Sequence, residues 1–412
     1  MHLVSAAYTD SSAQQYEGSG TNVMGTYTGV ESGYYHSIAL KRDGSVWTAG
    51  ANGNGQLGDG TDDERPRFMK VIPSDGVDVA AGIAHSIVLK SDGTVWAAGL
   101  NNYGQLGDGS VNNSYSFVMV TSYATAVAAG GYTTLVLKQD TTVWMTGLNA
   151  FVDLTQETVQ GYAYHRNFIH IFNGAKALAC GDFHIMVLGS AGFLWVVGRN
   201  DSGQLGDKSL KYSQKLVAVL TDVTAVAAGG SHSMALKQDG SVWTTGSNYY
   251  GQLGIAWSTF KVQWIQAVSS GVTAMAAGSV HSLVMKEDGS VWAAGRNGNG
   301  QLGDGTTLTR RRFVVVITGG VVALSAGLFH SMVVKNDGCL WATGLKLFGQ
   351  ESDNSYTQSQ LSFVKVSPLY RQYSTTNSMS NYNGYRKLVW QTTTTSLAGL
   401  CCDICSLAHD FC

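Results

Sequence analysis

The sequence predicts an all-β fold, a seven-bladed β-propeller of four-stranded antiparallel blades with a cysteine-containing C-terminal appendage. One pattern recurs seven times at a spacing of 48 to 51 residues, which is typical of propellers and similar arrays. Short apolar segments in every copy are separated by turns rich in glycine. Each copy also holds one tryptophan at the same position: Trp47, Trp96, Trp144, Trp195, Trp243, Trp292 and Trp341.

The second copy shows how one blade is predicted. Its four strands are residues 77–81, 85–90, 94–98 and 117–120. Asp92-Gly93 lies between the second and third strands and predicts a hairpin, because these residues accept the positive φ angles that tight turns need. A loop of glycine and asparagine, residues 99–109, joins the third strand to the fourth.

Simple up-and-down strand order assigns the loops to two faces of the ring. The Gly-x-x-His loop before the second strand and the Asn-x-x-Gly-Gln-Leu-Gly loop after the third would share one face, which we name the loop face. The Asp-Gly hairpins would lie on the opposite face, which we name the hairpin face.

A histidine begins the second strand in six copies and is predicted to be structural. We expect a half-buried imidazole that hydrogen-bonds the backbone where two blades meet, since equivalent positions around a ring lie too far apart to share a metal ion. The tryptophans are predicted to pack between neighbouring sheets. No metal or cofactor is predicted. The histidines are His36, His85, His184, His232, His281 and His330, and the third copy has Thr133 instead.

Aromatic side chains at the variable positions of the loop face are the predicted binding residues. Exposed aromatic residues favour protein partners or sugars, and the alternative is that they shield neighbouring loops and the mouth of the ring. The nine residues are Tyr34, Tyr35, Tyr103, Tyr132, Phe183, Tyr249, Tyr250, Phe329 and Phe348.

The composition and motifs exclude several function classes. A charged fraction of 13% and a net charge of -2 give no support for a nucleic-acid partner, and Arg310-Arg311-Arg312 is predicted to be solvated surface. No apolar run is long enough to span a membrane. The Gly-Gln-Leu-Gly loops lack the following helix and the lysine of a phosphate-binding loop. No catalytic constellation is found, so an enzyme is not predicted.

The repeat resembles that of the regulator of chromosome condensation (RCC1) family over residues 24–368. The resemblance implies a seven-bladed propeller. It is closer to secreted, bacterial-type members, some of which bind or inhibit proteins, than to the founding member, which exchanges nucleotide on the GTPase Ran using a wedge insertion and a basic tail. The copies that carry it are HSIALKRDGSVWTAGANGNGQLGDGT from His36, HSIVLKSDGTVWAAGLNNYGQLGDGS from His85, HSMALKQDGSVWTTGSNYYGQLG from His232 and HSLVMKEDGSVWAAGRNGNGQLGDGT from His281.

The two ends of the chain differ from the repeats. The first ten residues do not form an intact signal peptide. Residues 1–23 are predicted to close the ring by adding a strand to the last blade beside residues 361–366. Residues 369–412 are predicted to be a tail rich in Ser, Thr and Tyr that ends in a cysteine cluster.

The cysteines and two sequons suggest an extracellular protein. Disulfides are favoured among Cys339, Cys401, Cys402, Cys405 and Cys412, within the tail or to another chain. A zinc site of Cys402, Cys405, His409 and Cys412 is the alternative. The candidate glycosylation sites are Asn112 and Asn200.

Together these features predict a non-catalytic protein-binding or assembly module. We expect it outside the cell or on its surface, with variable loops that bind a protein partner and a tail that could support self-assembly. The alternatives are a guanine-nucleotide exchange factor and a cytoplasmic adaptor of RCC1 type. Their distinguishing features would be accelerated release of GDP and free tail thiols, respectively.

Overall fold

Seven antiparallel sheets, each one blade of a propeller, contain the strands between residues 26 and 366. The structure is a computed structural model and describes residues 26–148, 158–159, 162–345, 359–366, 379–382 and 385–388. Six blades have four strands that pair in sequence order, and the third has one short additional strand. The predicted all-β, seven-bladed propeller is therefore confirmed.

The strands follow one another along the chain, blade by blade. Blades 1 and 2 contain β1 (Tyr27–Ser32), β2 (His36–Lys41), β3 (Val46–Gly50), β4 (Arg65–Ile72), β5 (Gly76–Ala81), β6 (His85–Lys90), β7 (Val95–Gly99) and β8 (Ser114–Thr121). Blades 3 and 4 contain β9 (Ala124–Gly130), β10 (Thr133–Lys138), β11 (Val143–Leu148), β12 (Thr158–Val159), β13 (Tyr162–Phe172), β14 (Ala175–Cys180), β15 (His184–Gly189), β16 (Leu194–Gly198) and β17 (Ser213–Leu220).

The remaining three blades repeat this order. Blades 5 and 6 contain β18 (Val223–Ala228), β19 (His232–Lys237), β20 (Val242–Ser247), β21 (Phe260–Val268), β22 (Val272–Ala277), β23 (His281–Lys286), β24 (Val291–Gly295) and β25 (Arg310–Ile317). Blade 7 contains β26 (Val321–Ala326), β27 (His330–Lys335), β28 (Leu340–Gly344) and β29 (Gln360–Lys365). The first strand of every blade lines a central channel.

The hydrophobic core lies between neighbouring blades. Leu135 and Met145 of blade 3, for example, pack with Leu178 and Ile185 of blade 4 in one buried cluster. The leucine of each intact Gly-Gln-Leu-Gly loop adds to this core, and burial of one such side chain stabilises the fold by about 1.5–3 kcal/mol. These fully buried leucines are Leu57, Leu106, Leu205, Leu253 and Leu302.

The repeat tryptophans are half-buried and border this core. Six of them pack against a cluster shared by two blades: Trp47, Trp96, Trp195, Trp243, Trp292 and Trp341. The Trp144 ring instead meets the His170 ring of its own blade edge-on, with centroids 5.6 Å apart. The tryptophans therefore contribute to the fold.

The Asp-Gly hairpins are held by the aspartate side chain. In blade 2, the Asp92 carboxylate accepts hydrogen bonds from the backbone amide and hydroxyl of Thr94, at 2.9 and 2.6 Å, and the Trp96 indole donates to that hydroxyl. Only the glycine of the pair, Gly93, has a positive φ, at 80°. Blade 3 completes the same turn with Thr141 at φ 66°, a conformation that a β-branched residue rarely adopts.

The repeat histidines are fully buried, which corrects the prediction that they are half-buried. The Nε2 atom of His232 lies 2.8 Å from the hydroxyl of Ser282 in the next blade. That hydroxyl donates to the carbonyl of Gln252, in the Gly-Gln-Leu-Gly loop of the histidine's own blade, at 2.7 Å. Because the hydroxyl proton points to Gln252, the imidazole must donate from Nε2. We name this series of two hydrogen bonds the junction relay.

Five junctions show the complete relay, and a sixth shows its first bond. His36, His85, His184, His232 and His281 pair with Ser86, Thr134, Ser233, Ser282 and Ser331, whose hydroxyls donate to Gln56, Gln105, Gln204, Gln252 and Gln301. Between blades 7 and 1, His330 Nε2 lies 3.2 Å from the Ser37 hydroxyl. Burial lowers the pKa of these histidines to between about 3 and about 4, so they are neutral at pH 7.

The junction between blades 3 and 4 lacks this relay. Thr133 stands where other blades have histidine, and Ile185 stands where they have serine or threonine. The Thr133 hydroxyl instead donates to the Leu148 carbonyl within its own blade, at 2.8 Å. Ile185 joins the apolar cluster between the two blades. We name this junction the apolar seam.

Contacts between blades 7 and 1 close the ring. Tyr27 and Val30 of blade 1 share a buried cluster with Met332 and Leu340 of blade 7. The Tyr27 amide also donates to the Gly338 carbonyl at 3.0 Å. The fourth strand of blade 7 is β29, and residues 1–23, predicted to add a strand beside it, lie outside the described residues, so that strand stays a prediction.

The tail is a separate unit, residues 367–412, in which the structure describes one hairpin. Its strands are β30 (Met379–Tyr382) and β31 (Tyr385–Leu388). The four tail cysteines and His409 lie outside the described residues, so the predicted disulfides and the alternative zinc site stay predictions. Among the described residues, no helix has the length and apolar character to cross a membrane.

Candidate functional site

The two predicted loop classes do meet on one face. In blade 1, the Ala51 amide at the end of β3 donates to the Tyr35 carbonyl in the Gly-x-x-His loop, at 2.8 Å. Blade 2 repeats this bond between Leu100 and Ala84. The loop face therefore exists as predicted, and variable side chains from both loop classes can combine on it.

Buried asparagines make the Asn-x-x-Gly-Gln-Leu-Gly loops rigid. In blade 1, Asn52 Oδ1 accepts from the Leu57 amide at 2.9 Å, while its Nδ2 donates to Asp59 at 3.0 Å. Asn200 fills the same place in blade 4, where its Nδ2 donates to Asp207 at 2.9 Å. Because Asn200 is fully buried, a sugar could not reach this nitrogen in the folded chain. Asn112 is exposed and stays a candidate for glycosylation.

Each of these loops reaches over the outer strand of the next blade. Isolated bridges join Asp59 to Ser116, and Asp304 to Ser362. In blade 5 the corresponding bridge runs from Ile255 to Arg312, because Ile255-Ala256 replaces the usual Asp-Gly. The loop of blade 5 is thus placed directly against the arginines that begin β25.

Five predicted binding residues come together around the rim of the loop face. Tyr249 and Tyr250 meet edge-on, with ring centroids 4.9 Å apart. The Arg296 guanidinium lies 5.5 Å from the Tyr250 ring and 4.9 Å from the Phe329 ring. Phe329 is 6.4 Å from Tyr35, between ring centroids. We name this continuous row the aromatic arc; it ends at Tyr34.

Tyr34 carries the arc to the mouth of the central channel. Its hydroxyl donates to the carboxylate of Asp182 in blade 4, at 2.5 Å, although Tyr34 belongs to blade 1. Burial and the neighbouring Asp182 raise the pKa of Tyr34, and burial raises that of Asp182. The hydrogen bond therefore ties two distant blades together across the channel.

The channel itself offers little room for a ligand. Its cavity is about 130 Å³ and its wall consists mostly of alanine and glycine from the first strands. Such a space suits a few water molecules rather than a substrate. Among the described residues, no group of three His, Cys, Asp or Glu side chains could hold a metal ion.

A larger groove lies on the rim between blades 5 and 6, with a volume of about 1050 Å³. The Trp257 side chain is 85% exposed and Tyr249 is 66% exposed. The Arg311 guanidinium lies 4.2 Å from the Trp257 ring and donates to the Tyr249 carbonyl at 3.2 Å. The lining residues are Tyr249, Tyr250, Ala256, Trp257, Ser258, Thr259, Thr309, Arg310, Arg311, Arg312 and Val314. We name it the rim groove.

The remaining predicted aromatic residues lie apart from the arc. Tyr103 and Tyr132 form a pair with ring centroids 5.0 Å apart, and the Phe183 ring lies 5.4 Å from the Arg199 guanidinium. Phe348 lies outside the described residues. The shielding interpretation therefore suits the Tyr103–Tyr132 pair better than the exposed Tyr249.

Sequence reasoning missed Trp257 and underestimated Arg311. Trp257 could have been found because it is a tryptophan outside the repeat positions, next to the one loop in which Ile-Ala replaces Asp-Gly. Arg311 was predicted to be solvated surface, whereas it is half-buried and holds the blade 5 loop. Its contact with that loop joins residues 62 positions apart, which no local pattern reveals.

Comparison with protein families matches the chain to two models, both described as the regulator of chromosome condensation (RCC1) repeat. Together they cover more than half of the chain. The first matches residues 27–56, 77–105, 223–252, 272–301 and 321–350. The second matches residues 43–89, 92–137, 191–236 and 288–334. A comparison with curated proteins found no match.

Solved structures share the fold at low sequence identity. Prp20p from Saccharomyces cerevisiae, studied for its binding to Gsp1p and histones, is 19% identical with a TM-score of 0.70 over 80% of this chain and 87% of its own. Human WBSCR16 is 21% identical with a TM-score of 0.69, over 79% and 94%. Yeast RCC1 (Prp20) with bound Kap60 is 18% identical with a TM-score of 0.68, over 87% and 91%.

Proposed function

The chain belongs to the RCC1 repeat family, and we propose that it is a non-catalytic module that binds a protein partner on its loop face. The observation that carries this proposal is the aromatic arc with the adjoining rim groove. Tyr, Trp and Arg are the residue types that dominate the energy of protein interfaces. Here they occupy positions that vary between copies, so the repeated fold does not require them.

A site-specific cross-linking experiment tests this proposal. A photoreactive aromatic amino acid replaces Tyr249 on the loop face in one variant and Tyr123 in another. Tyr123 is a matched control because it is 68% exposed, against 66% for Tyr249, and its carbonyl accepts from Gln139 in the hairpin of blade 3. Tyr123 therefore lies on the hairpin face.

We expect the variant at position 249 to give one discrete protein adduct in extracts or medium of the native source. Excess wild-type protein should compete for this adduct, whereas the double variant Tyr249→Ala, Tyr250→Ala should not. Equal labelling from position 123, or no adduct from position 249, would contradict a binding site on the loop face.

Nucleotide exchange on a small GTPase is the second candidate, favoured by membership in the RCC1 family. The spacing of the repeats leaves no evident wedge insertion, so we expect no exchange activity. The test is release of labelled GDP from a panel of purified small GTPases. Accelerated release by this protein would replace the first proposal with the second.

We further propose that the protein acts outside the cell or at its surface. The low charged fraction of 13% and the four cysteines among the last twelve residues support this location. The intact mass of native protein, before and after reduction and deglycosylation, tests it. Disulfides would support the proposal, and a covalent dimer would support assembly through the tail. Six free thiols without sugar would instead support a cytoplasmic adaptor.

A further inference from the structure

We propose that the rim groove binds an acidic segment of the partner protein that also carries an apolar side chain. This inference rests on the proposed function and specifies the chemistry of the partner. Three features that meet between blades 5 and 6 support it: the charges, the exposed aromatic rings and a loop whose sequence departs from the repeat.

The charge of the groove is unbalanced. Its lining includes three arginines and no aspartate or glutamate. The Asp304 carboxylate neutralises the charge of Arg310, whose Nε lies 2.7 Å from it. Arg311 and Arg312 form no salt bridge with a described residue, and the Arg312 side chain is exposed. Two positive charges therefore remain available to a ligand.

Blade 5 also lacks the acidic residue that its loop has in other blades. Blades 1, 2, 4 and 6 have an aspartate at this point of the loop, and in blades 1 and 6 it pairs with an arginine of the same blade at 2.7 Å. Blade 5 has Ile255-Ala256 instead, with Ala256 at φ 75°. Glycine has the same positive φ at this point in blades 1, 2 and 6, so blade 5 keeps the backbone of the repeat, and its non-glycine residue there costs about 1 kcal/mol or more.

The blade 5 loop presents Trp257 to solvent. One face of its indole is covered by the Arg311 guanidinium, at 4.2 Å, and the side chain is still 85% exposed. An exposed tryptophan held in place by a cation loses little conformational freedom when it binds. Tyr249 also lines the groove and is exposed, so an apolar side chain can contact these rings while carboxylates reach Arg311 and Arg312.

A peptide-binding assay tests the inference. The probe is a short fluorescein-labelled peptide of glutamates around one phenylalanine, and fluorescence anisotropy reports its binding to the full chain. A matched probe has glutamine in place of each glutamate. We expect binding of the acidic probe only, weakened by added salt because exposed charges are screened.

Charge reversal at one exposed arginine locates the site. We expect Arg312→Glu to weaken binding of the acidic probe at least about tenfold, since a like charge opposes the ligand. Trp257→Ala should weaken it similarly. Arg42→Glu is the matched control, because Arg42 is an exposed arginine on the hairpin face, and it should leave binding unchanged. The melting temperature of each variant excludes misfolding as the cause.

The outcomes separate this inference from the proposed function. If the acidic probe does not bind, or if Arg312→Glu binds it normally, the rim groove is not an acidic-peptide site. The cross-link at position 249 can persist in that case, and the loop face remains a protein-binding surface. Tighter binding of a labelled single-stranded oligonucleotide or a neutral oligosaccharide, tested in parallel, would also overturn the inference.

Discussion

At the scale of single residues, the junction relay explains why a histidine recurs at the start of the second strand. The imidazole packs directly against the backbone of Gly33, where an added Cβ would lie 2.2 Å from His36 Cε1. The hydroxyl in the next blade both accepts from the imidazole and donates to a carbonyl. The imidazole Nε2, the hydroxyl and the glutamine carbonyl, from two blades, thus all have hydrogen-bond partners. The Nδ1 atom of five of the histidines has no protein partner.

Removal of one relay histidine should destabilise the ring. We expect His232→Ala to lower the free energy of unfolding by about 2–4 kcal/mol, because the Ser282 hydroxyl loses its donor and a cavity remains. Denaturant unfolding measures this change. His170→Ala is the control, since His170 is exposed, bonds Asn173 nearby and meets only the Trp144 ring, and it should change stability by no more than about 1 kcal/mol. Equal losses of unfolding free energy from the two substitutions would show that the relay does not stabilise the ring more than an exposed histidine does.

Residue-level prediction from the sequence was partly successful. A histidine followed by serine and then apolar residues indicated a structural role, because the pattern repeats with the fold. The sequence did not reveal the hydrogen-bonding partner, since His36 and Ser86 are 50 residues apart and meet only after two blades pack. The predicted extent of burial of the imidazole was therefore too low.

At the scale of elements, strands and hairpins were predictable because their signals are local. The second copy was predicted to have strands at 77–81, 85–90, 94–98 and 117–120, and the structure has β5 to β8 at these places, with β8 beginning earlier at Ser114. The blade 5 loop was not predictable in the same way. It contacts Arg311 of the neighbouring blade, whose guanidinium bonds loop carbonyls 62 and 63 residues away.

The buried asparagine should control the stability of its loop. We expect Asn101→Ala to lower the free energy of unfolding by about 2–3 kcal/mol, because the amide of Leu106 and the carboxylate of Asp108 lose their partner. The neighbouring Asn102 is exposed, so Asn102→Ala is the matched control and should have little effect. Thermal unfolding of both variants decides the matter, and comparable melting temperatures would refute the prediction.

At the scale of the whole molecule, the repeat count and the closed ring followed from the sequence. Seven tryptophans at a steady spacing were sufficient to predict seven blades. The position of the candidate binding site on the ring was harder to predict from the sequence. Tyr249 and Tyr250 were identified as variable aromatic residues, but the groove that they form with Trp257 and Arg311 requires two neighbouring blades in contact.

The six relay histidines should make the stability of the molecule depend on pH. Their pKa values, lowered by burial to between about 3 and about 4, lie below the ordinary value of 6.5, so the unfolded chain binds more protons between these limits. Stability should therefore be fully present above about pH 6.5 and decrease as the pH falls towards 4.

One substitution isolates this effect. His232→Gln cannot titrate, so its loss of unfolding free energy between pH 7.5 and pH 5 should be smaller than that of the wild-type protein. His281→Gln, at a second relay histidine whose pKa is lowered by burial to about 3, should show the same smaller loss. Unfolding in denaturant at the two pH values measures both, and parallel losses in all three proteins would show that the relay histidines are not the titrating groups.

Because of the apolar seam, turning the ring by one blade does not superpose the hydrogen bonds between its blades. Six boundaries are polar and one is not, so every blade has a distinct angular position counted from the seam. The rim groove lies two boundaries away from it. A partner can therefore bind at one pair of blades in a ring of otherwise similar repeats. Near-identical copies can in this way carry a single binding site with a fixed orientation.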